Sequence, residues 1–229
     1  MPPRKPDEPS MDVPTKSAAM TTVGRWVPVK FTSSDRYWEE RYGGGGNSGA
    51  GSYGQLAAFK AEVLNEFVAR HEITSVIEFG SGDGNQLTLA RYPSYTGVDV
   101  SPTVVRLCRE KFSQDNTKTF LTTAEYDGRR AELSMSLDVI YHLVEDEVYE
   151  AHMATLFDAA ERFVIVYSSN WDQDDGLSRH LRHRRFSDWV AINRPTFGMK
   201  AHIPNRFPFD SENAAHTSFA DFYVFELGR

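Results

Sequence analysis

Apolar positions recur along this chain in two periods, and each change of period marks a change of element. Leu56, Val63, Leu64, Phe67 and Val68 return at three- and four-residue intervals. That spacing predicts an amphipathic helix from about Ser52 to Arg70. Ser52 and Gln55 stand at capping-box spacing at its start. Short apolar runs of strand length follow at 75–79, 95–99, 118–122, around 133–138 and at 163–167. Helical patterns lie between them. Residues 85–92 have helical tendency. Ser101-Pro102 reads as an N-cap followed by proline at the first helical position, opening a helix through about Phe112. Tyr149, Met153, Leu156, Phe157 and Ala160 fall on one face of another helix. Strands alternating with helices imply right-handed crossovers and a parallel sheet. The end of the chain breaks that rhythm. Residues 199–203 and 218–227 read as two strands without a full helix between them, hence an antiparallel pair at one sheet edge.

The flanks are organised differently. Residues 1–24 carry prolines at 2, 3, 6, 9 and 14 and little to bury, so they are expected to form a disordered tail, leaving 25–229 as one domain. Residues 36–42 are aromatic and charged, and they lead into a glycine-rich run at 43–52. So many glycines hold one conformation only against something they cover, which makes 35–54 a candidate lid. No internal repeat is visible.

Composition narrows the function classes. The chain has 229 residues and a formal net charge of −7. A protein gripping nucleic acid shows a basic balance or face, so a nucleic-acid partner is disfavoured. One cysteine, Cys108, excludes an intramolecular disulfide and a cysteine zinc cluster. It falls in an apolar helical pattern, as a buried thiol would. The histidines form no ligand spacing with nearby carboxylates, so no metal site is expected. No apolar run approaches a membrane span, and the first twenty residues lack a signal peptide's apolar stretch. A soluble, cytoplasmic protein is expected. Nothing in the pattern sets an oligomeric state.

The strongest chemical signal is Val76-Ile77-Glu78-Phe79-Gly80-Ser81-Gly82-Asp83-Gly84. An apolar strand ends in an acid, and a glycine-alternating turn follows. Glycines let the chain turn sharply and let a ligand approach main-chain N–H groups. A second acid, Asp99, ends the next strand, 19 positions after Gly80. An acid about 20 residues on is placed to accept hydrogen bonds from ribose hydroxyls. A dinucleotide fingerprint asks for glycine at position 85, where this chain has Asn85. Glu78 also sits badly beside a pyrophosphate and well beside a cofactor bearing an ammonium and a sulfonium. An NAD-dependent oxidoreductase is therefore disfavoured.

These residues resemble the cofactor-binding pattern of class I S-adenosylmethionine (SAM)-dependent methyltransferases, and residues 136–143 resemble that family's fourth-strand motif. The similarity spans roughly 75–167. Residues 36–54, 180–186 and 217–223 are similar to bacterial small-molecule methyltransferases of unassigned acceptor. The resemblance implies a Rossmann-like three-layer α/β sandwich with a mostly parallel seven-stranded sheet and an antiparallel final pair. It implies SAM as cofactor and S-adenosylhomocysteine (SAH) as product. Gly80, Gly82 and Gly84, with Ser81 and Asp83 between them, would line the methionine part, and Glu78 would sit near it. Asp99 would hold the ribose and Val100 would pack on the adenine. Thr123, Ala124 and Glu125 would lie beside the adenine, although the family's acid is more usual near Thr123 than at Glu125. Asp138 would face the methionine moiety.

The acceptor is less legible. Methyl transfer needs positioning and water exclusion, and an oxygen or nitrogen acceptor can need help losing a proton. His142 is the first candidate base, with His180 or His183 as alternatives. Residues 179–186 are rich in Arg and His and lie in a candidate substrate-binding insertion, 171–198. Arg182 and Arg184 there suit a phosphate or carboxylate. They read equally as a solvated surface paired with Asp172, Asp174 and Asp175. Tyr37, Trp38 and Tyr42 could wall an acceptor pocket. The expectation is O- or N-methylation of a small, possibly anionic molecule. The alternatives are a protein or RNA methyltransferase, for which no Asn-Pro-Pro-Tyr motif is present, and a non-catalytic SAM-binding module.

Overall fold

The computed structural model describes residues 18–20, 26–28, 32–173 and 180–228. Most of the expected tail, 1–24, lies outside the described residues. Its described part, β1 (Ala18–Met20), pairs antiparallel with β2 (Trp26–Pro28).

The remaining elements build a seven-stranded sheet between helices. They are α1 (Ser34–Gly43), α2 (Gly54–Arg70), β3 (Val76–Phe79), β4 (Tyr95–Asp99), α3 (Pro102–Lys111), β5 (Lys118–Thr122), β6 (Ala131–Leu137), α4 (Asp146–Asp158), β7 (Ala160–Ser168), α5 (Phe186–Asn193), β8 (Phe197–Ile203) and β9 (Asp221–Leu227). Strand order is β5-β4-β3-β6-β7-β9-β8. The first five of these strands run parallel, and β9 joins β7 and β8 antiparallel. The Rossmann-like sandwich expected from the sequence is therefore the fold observed.

Period-two burial explains the three layers. Val76, Tyr95, Leu133 and Met135 pack with Leu64 and Val68 of α2 and Val105 and Cys108 of α3. Ile77, Phe79, Val98 and Val164 face the other way, against Met153, Leu156 and Phe157 of α4 and Phe186 and Val190 of α5. Ser101 caps α3 as its sequence suggests, its hydroxyl accepting the Val104 N–H at 3.2 Å.

Two local expectations fail. Residues 85–92 form only a short 3₁₀ turn, Gln86–Leu89, with extended backbone following at Ala90. Ser52 and Gln55 do not make a capping box. The N-cap of α2 is Tyr53, because Ser52 is already spent in a 3₁₀ turn, Ala50–Ser52, and Gln55 donates to the His216 carbonyl at 2.7 Å. The β5–β6 connection, 123–130, also has no helix. Two connections are thus short on the side where strand order reverses, between β3 and β6. In open α/β sheets a crevice opens at the carboxyl ends of the strands at such a switch point.

Candidate functional site

A cavity of about 550 Å³ opens at that switch point, within the range of small-molecule sites. Its floor is the end of β3 and the glycine turn. Gly80, Gly82 and Gly84 all take positive φ, which explains the alternation seen in the sequence. Gly80, Ser81 and Gly82 line the cavity, whereas Gly84 packs on Phe112 beneath it.

Glu78 and Asp99 are both buried in the floor. Glu78 accepts the Tyr95 hydroxyl at 2.6 Å. Burial pushes its carboxyl up to about 7, against the pull of that hydrogen bond and of Lys60. Asp99 accepts the Gly82 N–H at 2.9 Å and the Ser101 N–H at 3.0 Å. Burial raises it too, and these backbone donors hold the rise back. Beside them Gln86 donates to the Ala57 carbonyl, while its buried Oε1 has no partner. A buried acceptor without a donor costs free energy, so it points to a missing donor in the cavity.

Lys60 is the residue that sequence reasoning missed. It lies four positions from both Leu56 and Leu64, on the buried face of α2, and is 1 % exposed. A lysine in phase with a buried stripe requires a counter-charge, and that phase was the available signal. The counter-charge is Asp138, 2.7 Å from its ammonium. Asp138 follows β6 with φ of 60°, a turn that a short polar side chain tolerates. Its second oxygen accepts the Tyr141 hydroxyl at 2.8 Å.

The candidate lid is folded down on this floor. Ser48 and Asp83 hold each other twice: Ser48 N–H donates to the Asp83 carboxylate at 2.9 Å, and Asp83 N–H donates to the Ser48 hydroxyl at 2.8 Å. Tyr53 donates to the same carboxylate at 2.8 Å, and Tyr42 shares a 3.0 Å hydrogen bond with Ser48. Gly51 lies so close to Asp138 that a Cβ would meet Oδ2 at 2.6 Å. Residues 35–43, treated in the sequence as part of a lid, belong to helix α1, with Tyr37 and Arg41, and Trp38 and Tyr42, one turn apart. Glu39 on α1 accepts the Ser101 hydroxyl, and it accepts the Thr103 hydroxyl at 2.6 Å. The Ser34 hydroxyl donates to the His142 carbonyl at 2.8 Å, and its backbone N–H donates to Glu145 at 2.9 Å. The helix therefore bridges the start of α3 and the loop after β6, closing the cavity from above.

The expected residues divide into two groups. Tyr42, Glu78, Gly80, Ser81, Gly82, Asp99, Val100, Asp138 and His142 all line the cavity. Asp83 holds the lid. Ala124 and Glu125 do not reach the cavity; Glu125 is exposed, accepts from the Thr122 backbone at 2.8 Å and pairs with Arg109. Of the expected segment Thr123 does line the cavity, and Tyr126 lines it in place of Ala124 and Glu125. Tyr37 is buried and stacks on His180, ring centroids 5.6 Å apart. His183 stacks on Trp171 at 5.1 Å and shares a hydrogen bond with Ser169 at 2.7 Å, off the cavity wall. Arg182 and Arg184 reach the Val144 carbonyl and Asp146, and Arg184 also holds the Leu143 carbonyl at 2.6 Å. Both guanidinium groups thus tie residues 182–184 to the loop after β6. Asp174 and Asp175 lie outside the described residues.

His142 is part-buried, and burial drops its imidazole to about 4. Its Nδ1 lies 3.2 Å from the His180 carbonyl, which can only accept. Nδ1 therefore carries the proton and Nε2 is the acceptor. Trp38 meets the ring edge-on at 5.1 Å. His152, which also lines the cavity, is paired with Ser136 at 2.9 Å and dropped by burial to about 4. No metal-binding cluster occurs among the described residues. No described helix is long and apolar enough to cross a membrane.

Neither a protein-family model nor a curated protein sequence matches the chain. Solved structures match in fold. Magnesium protoporphyrin IX methyltransferase from Synechocystis PCC 6803, with bound SAH, superposes with a TM-score of 0.57 at 16% identity, covering 74% of this chain and 83% of that one. The N-methyltransferase NodS from Bradyrhizobium japonicum WM9, in complex with SAH, gives 0.57 at 12% identity over 75% and 87%. The methyltransferase domain of bacterial CtHen1 gives 0.54 at 20% identity over 73% and 97%. Identities this low make the likeness one of fold.

Proposed function

On the fold of the class I SAM-dependent methyltransferases, which this chain has, we propose that it is an enzyme that binds SAM in the switch-point cavity and transfers the methyl group to an oxygen or nitrogen of a small molecule. The observation that carries this reading is the floor: buried Glu78 and Asp99, the unpartnered Gln86 Oε1 and the glycine turn lie together in one cavity. SAM, when bound, supplies a methyl carbon on a positively charged sulfur. Glu78 and Gln86 Oε1 would accept from its ammonium. Asp99 would hold the ribose, with Val100, Thr123 and Tyr126 along the adenine. The acids suit a cofactor whose charges sum to positive.

The chain's own residues then exclude water and move a proton. α1 and the lid, latched through Ser48 and Asp83, close over the site. His142 presents an unprotonated Nε2 to the acceptor, its ring fixed by Trp38 and the His180 carbonyl. The acceptor is a small molecule rather than a nucleic acid, in keeping with the net charge of −7 and a partly enclosed cavity. A cytoplasmic location belongs to the same proposal. Thermal-shift titration tests the cofactor: SAM and SAH should raise the melting temperature in a saturable way while NADH leaves it unchanged. A shift with NADH alone would replace this reading with the oxidoreductase. Methyl-labelled SAM incubated with a small-molecule extract separates enzyme from silent binder, because only an enzyme yields labelled product.

A further inference from the structure

Charge sorts the cavity's two ends. Among the described residues that line it, the carboxylates are Asp35, Glu78, Asp99, Asp138 and Glu147, and the lone ammonium or guanidinium is Lys60, taken by Asp138. Glu78 and Asp99 lie in the floor. Asp35 and Glu147 lie at the mouth, both exposed, on the first turns of α1 and α4. Trp38 and Tyr42, stacked at 5.7 Å, and His142 also line the cavity, and the Arg41 guanidinium lies over the Trp38 ring at 5.6 Å. The arginines that sequence suggested for an anionic acceptor are held by Asp146 and by backbone carbonyls.

Resting on the SAM reading above, we infer that the acceptor is an amine, carried as its ammonium into the mouth between Asp35 and Glu147. Carboxylates attract such a cation, and no uncommitted cation among the described lining residues would favour a phenolate or carboxylate. The balance of the reaction agrees. The ammonium gives its proton by way of His142 Nε2 to water at the mouth. The freed lone pair forms the new C–N bond as the C–S bond breaks, and that bond's electron pair stays on sulfur, leaving a neutral thioether. In the transfer step positive charge moves from sulfur to nitrogen, so carboxylates tolerate that step, while they oppose the proton loss before it, which the relay through His142 to water must carry. An alkoxide or phenolate acceptor would instead bring negative charge into a wall of acids.

Calorimetry on the SAH-saturated protein tests this with two probes of one skeleton, phenethylammonium and 3-phenylpropanoate. The ammonium should bind about tenfold more tightly, and Asp35→Asn with Glu147→Gln should remove the preference. Raising salt should weaken it, because the mouth is exposed. Equal or tighter binding of the carboxylate, a preference that survives both substitutions, or no ammonium binding at millimolar concentration overturns the inference. SAH titration of the same preparations keeps the two readings apart. Failure to bind SAH defeats the cofactor reading, whereas SAH binding without an ammonium preference defeats only this one.

Discussion

Ser48→Ala cuts the latch that holds the lid. The hydroxyl has two partners, the Asp83 N–H at 2.8 Å and the Tyr42 hydroxyl at 3.0 Å. A net hydrogen bond contributes about 1 kcal/mol, so the pair contributes about 2 kcal/mol to the closed state. The Ser48 backbone bond to the Asp83 carboxylate survives, so the lid loosens without leaving. Water can reach the released groups once the lid opens, which reduces the cost toward about 1 kcal/mol. If cofactor binding requires closure, the whole of that cost appears in affinity. SAH should then bind about 5- to 30-fold more weakly. Calorimetric titration gives the affinity, and limited proteolysis within residues 43–49 gives lid opening. Wild-type protein with SAH should resist cleavage, and the variant should be cut faster even when saturated. Unchanged affinity together with unchanged cleavage would refute the coupling of lid to cofactor.

Three further outcomes follow from the floor and the wall. Lys60→Met keeps the aliphatic stem and removes the partner of Asp138, so the fold should lose about 3 kcal/mol. That corresponds to a melting temperature lower by about 6–12 °C; Lys60→Met with Asp138→Asn should recover part of it, and no recovery would show that charge was not the cause. Glu78, raised from 4.5 to about 7 by burial, is neutral below that pH and ionised above it. Its raised folded value means that it favours the fold most below 4.5 and that this contribution is lost as pH rises through about 7. Affinity for the cationic cofactor runs the other way: it should rise about tenfold between roughly pH 5.5 and 7 in wild type and stay flat in Glu78→Gln. His142, dropped to about 4, stays neutral through the ordinary working range. The rate profile should therefore show no inflection from His142 near pH 6.5, while His142→Gln lowers turnover about 100-fold at unchanged SAH affinity. A variant with wild-type turnover would remove His142 from the proton path.

Much of the frame was legible because it follows from local rules. The five parallel strands, the Ser101 cap and the antiparallel end show themselves as period-two runs, cap chemistry and a missing helix. The glycine turn was legible because three left-handed positions at alternate residues admit little else. What stayed hidden depends on contacts between distant residues. Helical tendency at 85–92 gave way because Gln86 turns inward to the Ala57 carbonyl and the chain leaves as extended backbone at Ala90. Ser52 and Gln55 have the spacing of a cap, yet the lid takes Ser52, whose carbonyl accepts from Asn85. Arg182 and Arg184 look like an anion site in sequence, and only the fold brings Asp146 and the Leu143 and Val144 carbonyls to them. Lys60 stood in phase with the core of α2, but its partner lies 78 positions away.

The central claim is that the switch-point cavity holds SAM, and Asp99 tests it most directly. One of its oxygens accepts from the Gly82 N–H of the turn and the other from the Ser101 N–H, so Asp99→Ala removes the proposed ribose acceptor and frees both N–H groups together. Calorimetric titration of wild type and Asp99→Ala with SAM and SAH, with circular dichroism to confirm the fold, is the measurement. The account predicts one site per chain, micromolar binding of both ligands by wild type, and loss of that binding in a folded variant. No binding by wild-type protein, or equal binding by Asp99→Ala, would contradict it.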